Sequence, residues 1–127
     1  MVKTHKNNIF NVLKPKSKKL IIDDLKKISE ERLESLLFSD AVKGFDDYIE
    51  FYIKAGVNIN CISSTGRTAL IYAAKWNNIK TCKLLLKNGA NVHIIDKTNH
   101  NALWYAKLNK NMDLLTLINN HKLNKDI

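Results

Sequence analysis

The sequence predicts an all-α solenoid of about three stacked helix-turn-helix units, joined by short β-turn hairpin loops and preceded by a leader helix. Three observations support this. The first is a repeat at 33 residues: Gly56-Val57-Asn58-Ile59-Asn60 returns as Gly89-Ala90-Asn91-Val92-His93, Thr68-Ala69-Leu70 as Asn101-Ala102-Leu103, Ala73 as Ala106, and Leu84-Leu85 as Leu117-Ile118. A fixed period in this range marks stacked supersecondary units and excludes most enzyme architectures. The second is a pair of strong helix stops, Gly56 and Gly89, at that same spacing. The third is the absence of strand-like alternation longer than a few residues.

Residues 1–19 have no periodicity and carry one proline inside a lysine run, Lys14-Pro15-Lys16-Ser17-Lys18-Lys19, so a basic solvated tail is expected. Its short apolar group, Ile9, Phe10, Val12 and Leu13, could still dock. A leader helix follows over about 20–29, with Leu20, Ile21, Ile22, Leu25 and Ile28 at helical spacing. Ser29-Glu30-Glu31 reads as an N-cap with acids in the first turn, where a helix dipole favours them. The stripe Leu33, Leu36, Leu37, Ala41 and Val42 continues that helix, and Gly44 closes it. Tyr48, Ile49, Tyr52 and Ile53 give the buried side of a helix over about Asp46 to Lys54.

The plan then recurs. A turn at Ser63-Ser64-Thr65-Gly66 leads into a helix of about Ala69 to Lys75, and Asn77-Asn78 links it to another of about Ile79 to Lys87. A third turn, Asp96-Lys97-Thr98-Asn99, precedes helices over about Ala102 to Leu108 and Met112 to Asn119. The units are therefore about 30–62, 63–95 and 96–122, with a short tail over 123–127.

The middle unit is the most specific. Thr65-Gly66-Arg67-Thr68-Ala69-Leu70-Ile71-Tyr72-Ala73-Ala74 and Leu84-Leu85-Leu86-Lys87-Asn88-Gly89-Ala90-Asn91-Val92 resemble the ankyrin repeat family, whose unit is a β-turn and two antiparallel helices. The resemblance covers about residues 30–122. It departs at the signature Thr-Pro-Leu-His: the proline is Ala69 and Ala102, and the histidine is Ile71 and Trp104. Apolar packing by Ile71 and Trp104 is expected to replace the histidine's polar tie. The polar end Asn119-Asn120-His121-Lys122 suits a terminal cap facing water.

Residues that could carry chemistry are few. His5, His93, His100 and His121 show no His-x-x-x-His spacing, and no His-Glu-x-x-His occurs. Asp96 and His100 straddle a turn, where both are expected to be solvated. Cys61 and Cys82 are too few and too far apart for a disulfide framework, and inert buried thiols are expected. Asp23-Asp24 and Asp46-Asp47 sit at helix starts, where capping accounts for them. No Gly-rich phosphate loop exists among four glycines. No catalytic residue, metal or cofactor is expected.

Binding has candidates. In ankyrin arrays the hairpin tips and the exposed face of the first helices form a concave recognition surface. The resemblance maps it onto Val42 and Lys43, then Ser64, Thr65, Arg67, Lys75 and Trp76, then Lys97, Thr98, His100, Leu108 and Asn109. Trp76 is the leading candidate, because exposed Trp is over-represented at hot spots. Folding back against Tyr72 or the next repeat is its alternative fate. A strip of Val42, Trp76 and Leu108, if exposed, would invite a protein partner.

The composition, 127 residues with 45% apolar, fits one domain with a modest core. No eighteen-residue apolar stretch exists, and the basic N-terminus reaches no apolar signal-peptide core. Cytoplasmic placement is expected, with leaderless export as the alternative. Residues 20–50 carry nine acids against four bases, a net −5, whereas residues 51–127 carry eleven bases against three acids, a net +8. Lysine outnumbers arginine 19 to 2, as an AT-rich genome would also produce.

The expected function is a non-enzymatic module that binds and masks or neutralises a protein with an acidic surface, as an immunity protein, inhibitor, effector or adaptor would. A monomer or heterocomplex is expected. The alternative is nucleic-acid binding through the lysine-rich tail and repeats, although aromatics do not alternate with lysines as stacking platforms would.

Overall fold

A computed structural model describes residues 17–126, with side chains through His121. The expectations for residues 1–16, including the docking of Ile9, Phe10, Val12 and Leu13, fall outside the described residues. Among the described residues there are seven helices and no strand: α1 (Lys18–Leu25), α2 (Glu30–Lys43), α3 (Asp46–Lys54), α4 (Ala69–Lys75), α5 (Ile79–Lys87), α6 (Ala102–Leu108) and α7 (Met112–Asp126).

Local chemistry sets the helix starts. The side chains of Ser17, Ser29, Thr68 and Asn101 accept from the backbone N–H groups of Leu20, Arg32, Ile71 and Trp104, at 3.2, 3.2, 3.2 and 2.9 Å. Each bond satisfies a donor that the first turn leaves unpaired. Thr68 and Asn101 are in register with Ser35, which lies inside α2. The first unit thus has extra helical turns where the other two have a hairpin.

The helices form two layers. In the inner layer α4 lies between α2 and α6; in the outer layer α5 lies between α3 and α7, and α1 packs on α3. Ala41, Ala73, Ala74 and Ala106 have no exposed surface, and these small side chains let the inner helices approach closely. Leu37, Ile49, Tyr52, Leu70, Leu85, Leu114 and Ile118 fill the space between the layers. Asp40 is buried beside Tyr52, whose phenol donates to its Oδ2 at 2.6 Å. Burial, reinforced by that carboxylate, holds the phenol far above its ordinary pKa.

Asparagine amides tie neighbouring units at the ends of the inner helices. Asn78 Nδ2 donates to the carbonyls of Ala41 and Val42, at 2.9 Å each. Asn109 Nδ2 donates to the carbonyls of Ala74 and Lys75, at 2.9 and 3.2 Å. These acceptors are the carbonyls that a helix C-terminus leaves unpaired. They recur at the repeat spacing, whereas the donors do not. Asn111, in register with Asn78, caps α7 by accepting from Leu114 N–H at 3.0 Å, and its Nδ2 donates to the side chain of Asn77 in the preceding unit, Oδ1 at 2.6 Å.

Two corrections to the expected helix ends follow. The outer helix α7 runs to Asp126 instead of stopping near Asn119. Gly89 follows α5 with φ 95°, but the corresponding position is Lys122, which lies within α7, so the glycine that permits the left-handed stop is missing there. The leader helix begins at Lys18 and ends at Leu25, under the Ser17 cap.

One register position demands a left-handed residue in every unit: Gly44 (φ 76°), Asn77 (φ 63°) and Lys110 (φ 55°) turn each inner helix into its outer one. Gly and Asn tolerate this region, whereas a lysine is strained there. Lys110→Gly is therefore expected to stabilise the fold by about 0.5–1 kcal/mol, after allowance for the backbone entropy of glycine. Urea unfolding of the variant beside wild type measures it, and an unchanged or lowered midpoint would count against the strain.

Candidate protein-binding surface

The two hairpins are built alike. Ser63 N–H donates to the Arg67 carbonyl at 3.0 Å, and Asp96 N–H donates to the His100 carbonyl at 2.9 Å. In each, the first residue of the turn also accepts from a tyrosine on the following helix: Tyr72 to Ser63 Oγ at 2.9 Å, and Tyr105 to Asp96 Oδ2. A threonine adds to the cluster, with Thr65 Oγ1 3.0 Å from Ser63 Oγ and Thr98 Oγ1 donating to Asp96 Oδ1 at 2.6 Å. The polar tie missing at the signature histidine has moved one residue on, to Tyr72 and Tyr105. Ile71 packs as expected, 1% exposed; Trp104 remains 39% exposed and stacks on His100 at 3.5 Å.

The hairpins are also joined to each other. Lys97 N–H donates to the Thr65 carbonyl at 3.0 Å. Gly66 (φ 77°) makes this approach possible: a Cβ there would lie 3.1 Å from the Lys97 nitrogen. Arg67 Nε meets Asp96 Oδ2 at 3.2 Å, and its Nη2 donates to Tyr105 Oη at 3.3 Å.

Asp96 therefore corrects the solvated reading of the Asp96–His100 turn. Its side chain is 1% exposed. Burial works against its charge, but hydrogen bonds from Thr98, Tyr105 and the His100 and Thr98 backbone outweigh it, holding the carboxyl well below the usual range. His100 is half-buried and stacked, with Nδ1 2.9 Å from Thr98 Oγ1.

The sequence-derived candidates divide accordingly. Trp76 stays outward, 56% exposed, with Lys75 Nζ 5.4 Å from its ring centroid; Leu108 is 61% exposed. Lys43, Ser64, Thr65 and Lys97 are exposed, and Val42 and Lys75 are half-buried. Arg67 and His100 are half-buried and Thr98 and Asn109 exposed, but all four are engaged by the bonds described within the array, so their side chains position the surface more than they offer groups to a partner.

Two residues escaped the sequence reading. Ile62 and Ile95 are 57% and 52% exposed, one immediately before each hairpin acceptor. Their shared phase in the 33-residue repeat was the available signal.

Among the described residues no group of three or more His, Cys, Asp or Glu could hold a metal ion. Cys61 and Cys82 are buried free thiols, and burial pushes their pKa values up to about 11 and about 12, which keeps them protonated and unreactive at neutral pH. No helix among the described residues is long and apolar enough to cross a membrane.

A family model described as ankyrin repeats (3 copies) matches residues 37–127. The chain belongs to the ankyrin repeat family. The match begins at Leu37, inside α2, consistent with the extra N-terminal turns of that helix lying ahead of the repeat proper. Ankyrin repeats are modules of protein–protein interaction, typically without enzymatic activity. No curated protein matches the sequence.

Asp96 should dominate the acid stability of this ankyrin array. A carboxyl whose pKa is lowered on folding contributes stability that is present above its unfolded value, about 3.9, and is lost as pH falls below it. Asp96→Asn is expected to flatten the decline below about pH 4. Asp96→Ala should cost about 3 kcal/mol at neutral pH by leaving Arg67 without its partner. Thermal melts across pH 2–7 for the three proteins measure both effects. Parallel wild-type and Asp96→Asn curves would refute the assignment.

Proposed function

We propose that this ankyrin array binds a partner protein with an acidic surface and acts by masking it, as an inhibitor, immunity protein or effector would. The observation that carries the reading is one of charge. Between Phe51 and Met112 the chain has nine basic residues and a single acid, Asp96, and that acid is buried. The hairpins and inner-helix ends therefore present Lys43, Lys75 and Lys97 beside exposed Trp76 and Leu108, with no exposed carboxylate between Phe51 and Met112 to repel an acidic partner; the next acid, Asp113, is exposed at the start of the outer helix α7.

Rigidity supports the same reading. The hairpins are cross-linked by Lys97–Thr65 and Arg67–Asp96, so little ordering remains to oppose association. Masking is the action that a rigid repeat face can perform by occupancy alone, which supports that part of the reading. The lysine excess also keeps nucleic-acid binding as a second reading, and a gel shift with mixed DNA and RNA separates the two.

Affinity capture from the source cells, with wild type beside Trp76→Ala and Lys75→Glu/Lys97→Glu, tests the proposal. Recovery of one protein by wild type, with affinity reduced about 30-fold by Trp76→Ala, is the expected outcome for a hot-spot tryptophan. The association rate should fall steeply with salt. Equal recovery by all three proteins would remove this face from consideration.

A further inference from the structure

We propose that the occupant of this face is an acidic amphipathic helix whose apolar residues, seven apart, seat on Ile62 and Ile95. The inference rests on the protein-binding reading above and specifies the partner's chemistry.

Ile62 and Ile95 are among the largest exposed apolar groups of the described residues, 57% and 52% exposed, and they occupy the same place in successive hairpins. Folding does not require them there. Threonine, also β-branched, would fill either position without leaving as much apolar surface in water. The turns already use hydroxyl residues at Ser64, Thr65 and Thr98. In the first unit the same register position is Ser29, a helix cap. The isoleucines thus recur only where the hairpins recur.

Their spacing follows from the hydrogen bonds. Each hairpin contributes two chain segments, closed by Ser63 N–H to Arg67 and by Asp96 N–H to His100, and Lys97 N–H joins one hairpin to the other. Neighbouring paired segments lie about 4.8 Å apart, so equivalent residues of adjacent hairpins are about 10 Å apart. That line runs across the segments, not along them. An extended peptide laid along it would leave its own N–H and C=O groups unpaired. A helix satisfies those groups internally, and residues seven apart on one helix face are about 10.5 Å apart.

Charge sets the rest of the occupant. Lys97 follows the second hairpin's acceptor directly, Lys43 and Lys75 lie at the inner-helix ends, and the one carboxylate of the second and third units up to Met112, Asp96, is buried against Arg67. A helix with carboxylates flanking its apolar stripe complements this frame, whereas a basic helix is repelled by it. The frame is also fixed in place, because the Arg67–Asp96–Tyr105 cluster and the close approach at Gly66 hold the two hairpins in one register.

A phage-displayed library of helix-forming peptides, selected on the full chain, tests this. The expected result is enrichment of acidic sequences with apolar residues seven apart. Their affinity should fall at least tenfold with Ile62→Ser or Ile95→Ser, and at least tenfold between low and high salt. Circular dichroism melts of both serine variants should match wild type, since both positions are exposed. Enrichment of basic or unpatterned peptides, indifference to both serine variants, or no enrichment overturns the inference. Peptides weakened by Trp76→Ala but not by the serine variants would sink this inference and leave the docking face standing. Peptides indifferent to all three substitutions would remove both.

Discussion

None of the three helical pairs can bury its own apolar stripe, and the rest of the molecule follows from that. The stripe of α4 closes only because α2 lies on one side and α6 on the other. The alanines at 41, 73, 74 and 106 keep the inner helices close enough for polar groups to bridge between units. Bridges occur at three levels. Asn78 and Asn109 tie the inner-helix ends, Lys97 and Asp96 tie the hairpins, and Asn60 ties the outer loops by accepting from Asn91 N–H at 2.8 Å and donating to the Gly89 carbonyl at 3.3 Å. In a stack with only nearest-neighbour contacts, such ties spread the stability of one unit to the next.

The same ties determine what the surface can offer. Arg67 is a cation whose charge is balanced inside the array by Asp96, so the outward field of the hairpins comes from lysines. Thr98, His100 and Asn109, expected from the sequence to contact a partner, serve their neighbours. On the proposed face the exposed apolar side chains are Trp76 and Leu108 at the inner-helix ends, and Ile62 and Ile95 on the hairpins. The division is physically economical. Polar groups rigidify the frame, and apolar groups supply contact area.

Much of the fold was legible because its signals are local. Gly56 and Gly89 stop helices wherever they stand, and Thr68 and Asn101 cap helices through their own backbone neighbours. The expected limits of α3, α4, α5 and α6 accordingly coincide with those in the structure. α7 runs past the expected limit near Asn119 because the polar residues that follow, suited to a cap facing water, include no glycine, and polarity alone does not break a helix. Asp96 was misread because its partners arrive from afar: Tyr105 lies nine residues on, and Arg67 belongs to the preceding unit. Ile62 and Ile95 share a phase in the repeat, but that phase alone does not distinguish an exposed isoleucine from a buried one.

The sequence by itself determined the period, the helix starts and stops, the ankyrin membership and the separation of acidic and basic halves, since each is written in residues near one another or in strict phase. Only the tertiary structure decided which polar side chains face inward. Burial of Asp96 and engagement of Arg67 and Asn109 depend on the atoms that a neighbouring unit brings, and the exposure of Ile62, Ile95 and Trp76 depends on the atoms that no described unit brings.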